Sequence, residues 1–314
     1  MYVLVSSAYP LTSPKGNTIT AKRIVQLLND AGHLAEAIHT DMPPQADAMI
    51  ALHATKTLIT SQRFKVCSPQ GKLIIYLTGT DLYKDLPDNK PEFFEALELA
   101  DYLVVSQKAS LASVPSKYRP KARFVPASVL LPPEHPCPPP PENSVLLAAH
   151  LRPVKNPFLI NKALTLLPQL QLHAFTLGAA LDPQMAEQAN HWQTIDRRFQ
   201  WLNTLPYPET LSWMRQVDFT INTSHSEGGS NAVAESIALG TPVLASRIEG
   251  NLGLLEDNYL GYFEPDSPQS LADLLALALS DPDLQAQLHT QTQNLQHKFL
   301  PEKEIQGWIT LFKH

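Results

Sequence analysis

From Leu131 to Glu142 the chain reads Leu-Pro-Pro-Glu-His-Pro-Cys-Pro-Pro-Pro-Pro-Glu. Proline locks φ and lacks an N–H donor, so a run this dense joins neither a helix nor a sheet ladder. It reads as a stiff, extended linker. The chain on either side must then build its own core, and 314 residues suffice for two domains of ordinary size. Both flanks alternate strand and helix patterns. Before the linker, Tyr2 to Ser6, Ala48 to Leu52, Leu73 to Leu77, Tyr102 to Val105 and Arg123 to Val125 are strand-like, and Thr18 to Leu28 is an amphipathic helix. After it, Val145 to Ala148, Leu172 to Leu177 and Phe199 to Leu202 are strands, with helices at Phe158 to Leu167 and Pro208 to Gln216. Ser267 to Leu279, Pro282 to His297 and Glu302 to Phe312 are further helices. Such alternation specifies an α/β class with mainly parallel sheets. Two lobes joined by one linker imply a cleft between them, a common place for ligands.

The most informative stretch of the second half is Asn222 to Ser246. A short apolar run, Val217 to Ile221, precedes it. A polar loop follows, and Ser230 is placed to cap a helix that ends at Leu239, with Gly240 as its terminator. Val243 to Ala245 is a second strand. In open α/β sheets, ligands bind at loops on the carboxyl ends of strands. The N–H groups after Gly228 and Gly229, at Ser230 and Asn231, form an anion site at the helix start. Glu227 stands just before the two glycines, and Glu235 lies about 7 Å along the helix. Glu235 points away from the apolar stripe of Val233, Ala234, Ile237 and Ala238. It faces either water or a cleft. A solvated helix carboxylate and a loop carboxylate that tightens a turn would satisfy the same spacing.

Other stretches carry charge or polar groups at strand ends. Arg152 and Lys155 follow the first strand of the second lobe, three residues apart. They are either a pair of cations for a diphosphate or ordinary surface charges. In the first lobe, Pro14-Lys15-Gly16-Asn17-Thr18 opens the first helix and offers N–H groups to an anion, or is a plain capped loop. His53 ends one strand, and Thr78-Gly79-Thr80-Asp81 follows another. A lone His at a strand end is also a common structural hydrogen-bonder. Asp281-Pro282-Asp283 reads as a helix cap rather than a metal-binding pair.

Composition narrows the class. The net charge is −6 and there is no Lys/Arg block, which argues against nucleic acid. Cys67 and Cys137 form no CxxC pair, as in a reducing cytoplasm. The N-terminus lacks a signal-peptide pattern and no run is long enough to insert stably in a membrane, so a cytoplasmic protein is expected. No G-x-G-x-x-G, P-loop, G-x-S-x-G or H-E-x-x-H string occurs.

The Glu-x7-Glu spacing of Glu227 and Glu235, with the Ala-Leu-Gly-Thr-Pro-Val-Leu-Ala run behind it, resembles the donor-binding signature of GT-B glycosyltransferases that include sucrose and sucrose-phosphate synthases. That resemblance implies two Rossmann-like α/β lobes facing across a cleft. The first would be an acceptor-side lobe over 1–131, followed by a linker over 132–142. A nucleotide-sugar lobe would span 143–298, and a terminal helix over 299–314 would cross back. It implies Arg152, Lys155 and Glu227 as catalytic residues, without metal or cofactor. It further implies Glu235 on the ribose, and Gly228, Gly229, Ser230 and Asn231 around the donor.

A narrower resemblance is carried by Lys15-Gly16-Asn17-Thr18, Ala51-Leu52-His53-Ala54, Leu77 to Leu86, His150 to Lys155, Ala245 to Leu255 and Tyr259 to Phe263. These runs are similar to the selenosugar synthases of selenoneine biosynthesis, with Glu249 and Leu260 standing where those relatives commonly have Pro. It implies a UDP-sugar donor, UDP-N-acetylglucosamine or UDP-glucose, and selenophosphate as acceptor. Gly16, Asn17, Thr18, His53, Thr78, Gly79 and Asp81 would then surround the acceptor or its phosphate. A hydroxyl acceptor would instead require a base, with His53 or Asp81 the candidates. A transferase to a small alcohol, thiol or lipid, or a two-lobed protein that binds a nucleotide sugar without reacting, remain the other readings.

Overall fold

Six parallel strands form the sheet of the first unit: β1 (Tyr2–Ser7), β2 (Leu34–Ile38), β3 (Ala48–Leu52), β4 (Lys72–Tyr76), β5 (Tyr102–Val105) and β6 (Ala122–Phe124), in the order β2-β1-β3-β4-β5-β6. The computed structural model describes residues 1–13 and 15–313; Pro14, which begins the expected anion loop, and His314 lie outside them. Helices α1 (Gly16–Asp30), α2 (Leu58–Cys67), α3 (Pro91–Leu99) and α4 (Ser110–Ser113) belong to the crossovers. Strand β3 is buried at every position. Parallel strands covered on both faces read as unbroken apolar runs, which is why Ala48–Leu52 was legible as a strand. Edge strand β2 was not. Its Leu-Ala-Glu-Ala-Ile has little apolar signal, and Leu34 is 66% exposed.

One face of this sheet packs Val3, Val5, Ile50 and Ile74 against Ile24 and Leu28 of α1 and against Trp308 and Leu311 of α12 (Pro301–Lys313). By internal contacts the unit comprises Met1–Leu130 and Lys298–His314. Its terminal helix is tied in by a buried ion pair. Glu304, fully buried, accepts from Arg23 Nε at 2.9 Å, Ser128 N at 2.6 Å, Ser128 Oγ at 2.7 Å and Trp308 Nε1 at 3.3 Å.

The second unit, Leu131–His297, has its own six-stranded parallel sheet. Its strands are β7 (Ser144–Ala148), β8 (His173–Leu177), β9 (Phe199–Trp201), β10 (Phe219–Asn222), β11 (Val243–Ser246) and β12 (Tyr262–Phe263), in the order β12-β11-β10-β7-β8-β9. Its helices are α5 (Leu159–Thr165), α6 (Pro183–Ile195), α7 (Tyr207–Gln216), α8 (Asn231–Leu239), α9 (Glu249–Leu255), α10 (Pro268–Ser280) and α11 (Pro282–Leu295). Asp281 caps α11, its carboxylate accepting from Asp283 N and Leu284 N, as its position before Pro282 predicted. Helix α6 carries a similar Asp-Pro cap at Asp182 but no apolar stripe, because Ala189 alone is buried among its residues. The proline-rich run forms no helix or strand. It lies along α7, where Ser212 Oγ donates to His135 O at 2.7 Å and Arg215 pairs with Glu134. No helix among the described residues is long and apolar enough to cross a membrane.

The Arg23–Glu304 pair sets a test of the fold. Removing one partner of a buried pair leaves the other charge uncompensated, at roughly 3–5 kcal/mol. Glu304→Ala is expected to lose about that much in urea unfolding. Glu304→Gln, which keeps an acceptor for Ser128, is expected to lose less.

Candidate functional site

Strand β10 ends at Asn222, and the loop after it turns through Gly229, whose φ is 147°, a backbone state that residues with side chains rarely adopt. Ser230 then caps α8, its Oγ accepting from Val233 N, and Gly240 ends the helix at φ 82°. Val233, Ala234, Ser236 and Ile237 are buried against the unit. Glu235 stands off that stripe, half-buried, and Tyr207 Oη of α7 donates to its Oε1 at 3.1 Å. The first N–H groups of α8 have no partner within the helix. An oxyanion is the natural ligand of such a terminus.

Two loops from neighbouring strands meet here. The loop after β7 carries the exposed Arg152 and the half-buried Lys155. It is laced to the β10 loop by His225 N to Val154 O at 2.9 Å and Thr223 Oγ1 to Lys155 O at 2.7 Å. Across this seam Lys155 Nζ lies 2.5 Å from Glu227 Oε1. The same oxygen accepts from Ser224 Oγ at 2.7 Å and Asn222 Nδ2 at 3.4 Å. Glu227 is therefore a held carboxylate, its charge balanced by Lys155 and its position set by three donors. Asp266 ties the rim, accepting from Asn156 Nδ2 at 2.9 Å and facing His225 Nδ1 at 2.9 Å.

The candidates of the first unit gather at the carboxyl ends of β1, β3 and β4, which are adjacent in their sheet. Asn17 bridges two of these ends. Its Oδ1 accepts from Ala8 N at 2.9 Å and Ser7 Oγ at 3.1 Å, and its Nδ2 donates to Leu52 O at 3.2 Å. Gly16 is the exposed first residue of α1. Thr18 is fully buried and already donates its N–H to Lys15 O at 3.0 Å.

His53 is buried with φ 93°, a strained state for a residue with a Cβ. Its Nδ1 lies 2.8 Å from Asp81 Oδ1 without the angle of a hydrogen bond, and its buried Nε2 has no partner among the described residues. Asp81 is turned inward. It accepts from Ala54 N at 3.0 Å and from both Thr78 N and Thr78 Oγ1 at 2.7 Å. These three bonds make Asp81 a brace of the Thr78-Gly79 loop. Asp85 completes a group of possible metal ligands with His53 and Asp81, all within 4.8 Å. Burial pushes the Asp85 carboxyl up, but the bonds from Lys90 and Thr55 outweigh it and hold it below the usual carboxylate range. Lys90 at 2.6 Å already neutralises this carboxylate, so the group fits a closed ion-pair network better than a cation site.

Sequence reasoning missed the residues that hold the site rather than face it. These are Asn222, Ser224, Tyr207, Ser246 and Asn251. Their side chains act across turns and crossovers, and no local spacing marks them.

Residues 136–295 match the family model of glycosyl transferases group 1. A D-inositol 3-phosphate glycosyltransferase of Corynebacterium glutamicum is 28% identical over 159 residues, which is 44% of this chain. The match spans only 35% of that relative's length. Among solved structures, HepE of Anabaena, in complex with UDP-glucose, superposes with a TM-score of 0.79 at 16% identity over 100% of both chains. The sucrose-phosphate synthase of Thermosynechococcus elongatus superposes with a TM-score of 0.80 at 15% identity, over 99% of this chain and 98% of that one. With its two Rossmann-like α/β lobes and separate parallel sheets, a GT-B-type fold, this chain belongs to the glycosyl transferases group 1 family.

Proposed function

We propose that the protein transfers a hexosyl group from UDP-N-acetylglucosamine or UDP-glucose to selenophosphate, forming a carbon–selenium bond. The observation that carries the donor side is the Lys155–Glu227 pair at the open start of α8. In this reading the Lys155 ammonium, the exposed Arg152 three residues before it and the N–H groups at the start of α8 supply the positive charge that a departing diphosphate requires. This arrangement supplies that charge without a metal. Preorganised donors of this kind act on charge that develops in the transition state. Glu227 faces the sugar and orients it, and Glu235 accepts from the ribose hydroxyls. The binding of UDP-glucose by HepE, a protein of the same fold, supports a nucleotide sugar as donor.

The acceptor side rests on the sequence runs similar to selenosugar synthases, Leu77 to Leu86 and Arg247 to Leu255 above all. Selenium attacks the anomeric carbon as the bond to the diphosphate oxygen breaks and UDP leaves. The phosphoryl group on selenium is then lost to water, which frees the 1-selenosugar. A selenium nucleophile is already anionic near neutral pH and requires no base. That agrees with Thr78 and Asp81 being engaged with each other. The relative acting on D-inositol 3-phosphate favours a second reading, a phosphorylated alcohol as acceptor. In that reading His53 or Asp81 would be the base.

Purified protein incubated with either UDP-sugar and selenophosphate is expected to give free UDP and a hexose bearing the selenium isotope pattern by mass spectrometry. UDP release only with inositol 3-phosphate, and no selenium product, would move the assignment to the alcohol acceptor. Lys155→Ala is expected to lower kcat by about 10²–10³ while UDP still binds. Unchanged turnover would remove Lys155 from the chemistry, and absence of turnover in the unaltered protein would favour a binding protein.

Gly250 sets a separate test. A Cβ there would lie 2.1 Å from Glu227 O and 2.7 Å from Glu227 Cβ, so the α9 backbone presses directly on the catalytic loop. Gly250→Ala is expected to displace Glu227 and cost about 10²-fold in turnover. Its stability loss in denaturant should stay at roughly 1–3 kcal/mol, the usual cost of overpacking.

A further inference from the structure

We infer that Asn251 and Asn222 are a positioning pair that fixes the polarity of Ser230, making its hydroxyl a donor to the diphosphate of the bound nucleotide sugar; this rests on the donor reading above. A backbone carbonyl can only accept. Ser246 O lies 2.9 Å from Asn251 Nδ2, so the nitrogen of this fully buried amide must face it. The second N–H of that amide reaches Asn222 Oδ1 at 3.1 Å. Ser224 N also donates to Asn222 Oδ1, at 3.3 Å. Two donors on its oxygen leave Asn222 one orientation, with Nδ2 turned to Ser230 Oγ at 3.1 Å and Glu227 Oε1 at 3.4 Å.

Ser230 Oγ thus accepts from Asn222 Nδ2, and it also accepts from Val233 N at 3.4 Å as the cap of α8. Both lone pairs are taken. Its own proton has no acceptor among the described residues, although the side chain is nearly buried at 4% exposure. That proton is offered beside the open N–H groups of the helix start, where an anion is favoured already. Were the Asn222 amide turned over, its oxygen would face the Glu227 carboxylate. Ser230 would then donate inward and present a lone pair to the phosphate. One buried amide, 29 residues from Asn222, therefore decides whether the site attracts or repels the leaving group.

Asn251→Asp replaces the donating nitrogen by oxygen at nearly constant shape, and Ser230→Ala removes only the last hydroxyl of the relay. Calorimetry with UDP and with uridine separates the outcomes, because uridine lacks the diphosphate. Each variant is expected to bind UDP about tenfold more weakly, the scale of a hydrogen bond to a charged group, with uridine affinity unchanged. The double variant should be no worse than the weaker single, since both remove one proton from one place. Ser230→Ala keeps the test alive if Asn251→Asp does not fold. UDP affinity within about twofold of the unaltered protein, equal loss for UDP and uridine, or fully additive losses would overturn the pair. Failure of the unaltered protein to bind UDP at all would instead overturn the donor reading, and this assignment with it.

Discussion

Parallel pairing is the constraint on which the rest of this structure depends. Among the described residues, every strand pairing in both sheets is parallel. Parallel neighbours cannot be joined by a tight hairpin, so each strand is followed by a crossover. All loops that leave carboxyl ends then emerge on one edge of their sheet. Asn17, His53, Thr78 and Asp81 converge for that reason, and so do Lys155, Glu227 and Asn251. Within each unit the gathering follows from strand order, with β1-β3-β4 adjacent in one sheet and β7-β10-β11 in the other.

Convergence alone does not hold a charged site in one geometry. Lys155 and Glu227 are 23% and 10% exposed at their side chains, so their attraction is screened less than at the surface. The carboxylate is also held by Ser224 and Asn222, and its backbone is backed by Gly250. A charge held by several partners in a partly dry place costs little reorganisation when a ligand arrives. The first unit uses the same device differently. Its carboxylates Asp81 and Asp85 are held by backbone and side-chain donors, which makes them braces for loops. Among the described residues the buried His53 imidazole there has no hydrogen-bond partner and is held at a strained φ.

Much of the fold was legible because its signals are local. Ser230 and Gly240 bound α8 as their residue types predict, and Asp281 caps α11. Strands β3 and β5 lie at their expected residues, Ala48–Leu52 and Tyr102–Val105, because a doubly covered parallel strand is an apolar run. Among the elements that escaped, three did so for identifiable reasons. Strand β2 is an edge with polar alternation, helix α6 buries Ala189 alone, and α9 carries two glycines in seven residues. None has enough intrinsic propensity or periodicity to announce itself, and tertiary contact supplies the difference.

The chain's own residues determined the element types, the caps, the interruption by proline and the charged pairs at strand ends. Each is a matter of φ, hydrogen-bond donors or apolar spacing within a few positions. Partner choice was decided only by the tertiary structure. Arg23 meets Glu304 across 281 positions, Lys155 meets Glu227 across 72, and Asn251 meets Asn222 across 29. A carboxylate reads the same in the sequence whether it will hold a lysine, a loop or a substrate. Which of these it holds depends on the order of strands in the sheet and on which lone pairs the backbone has already taken.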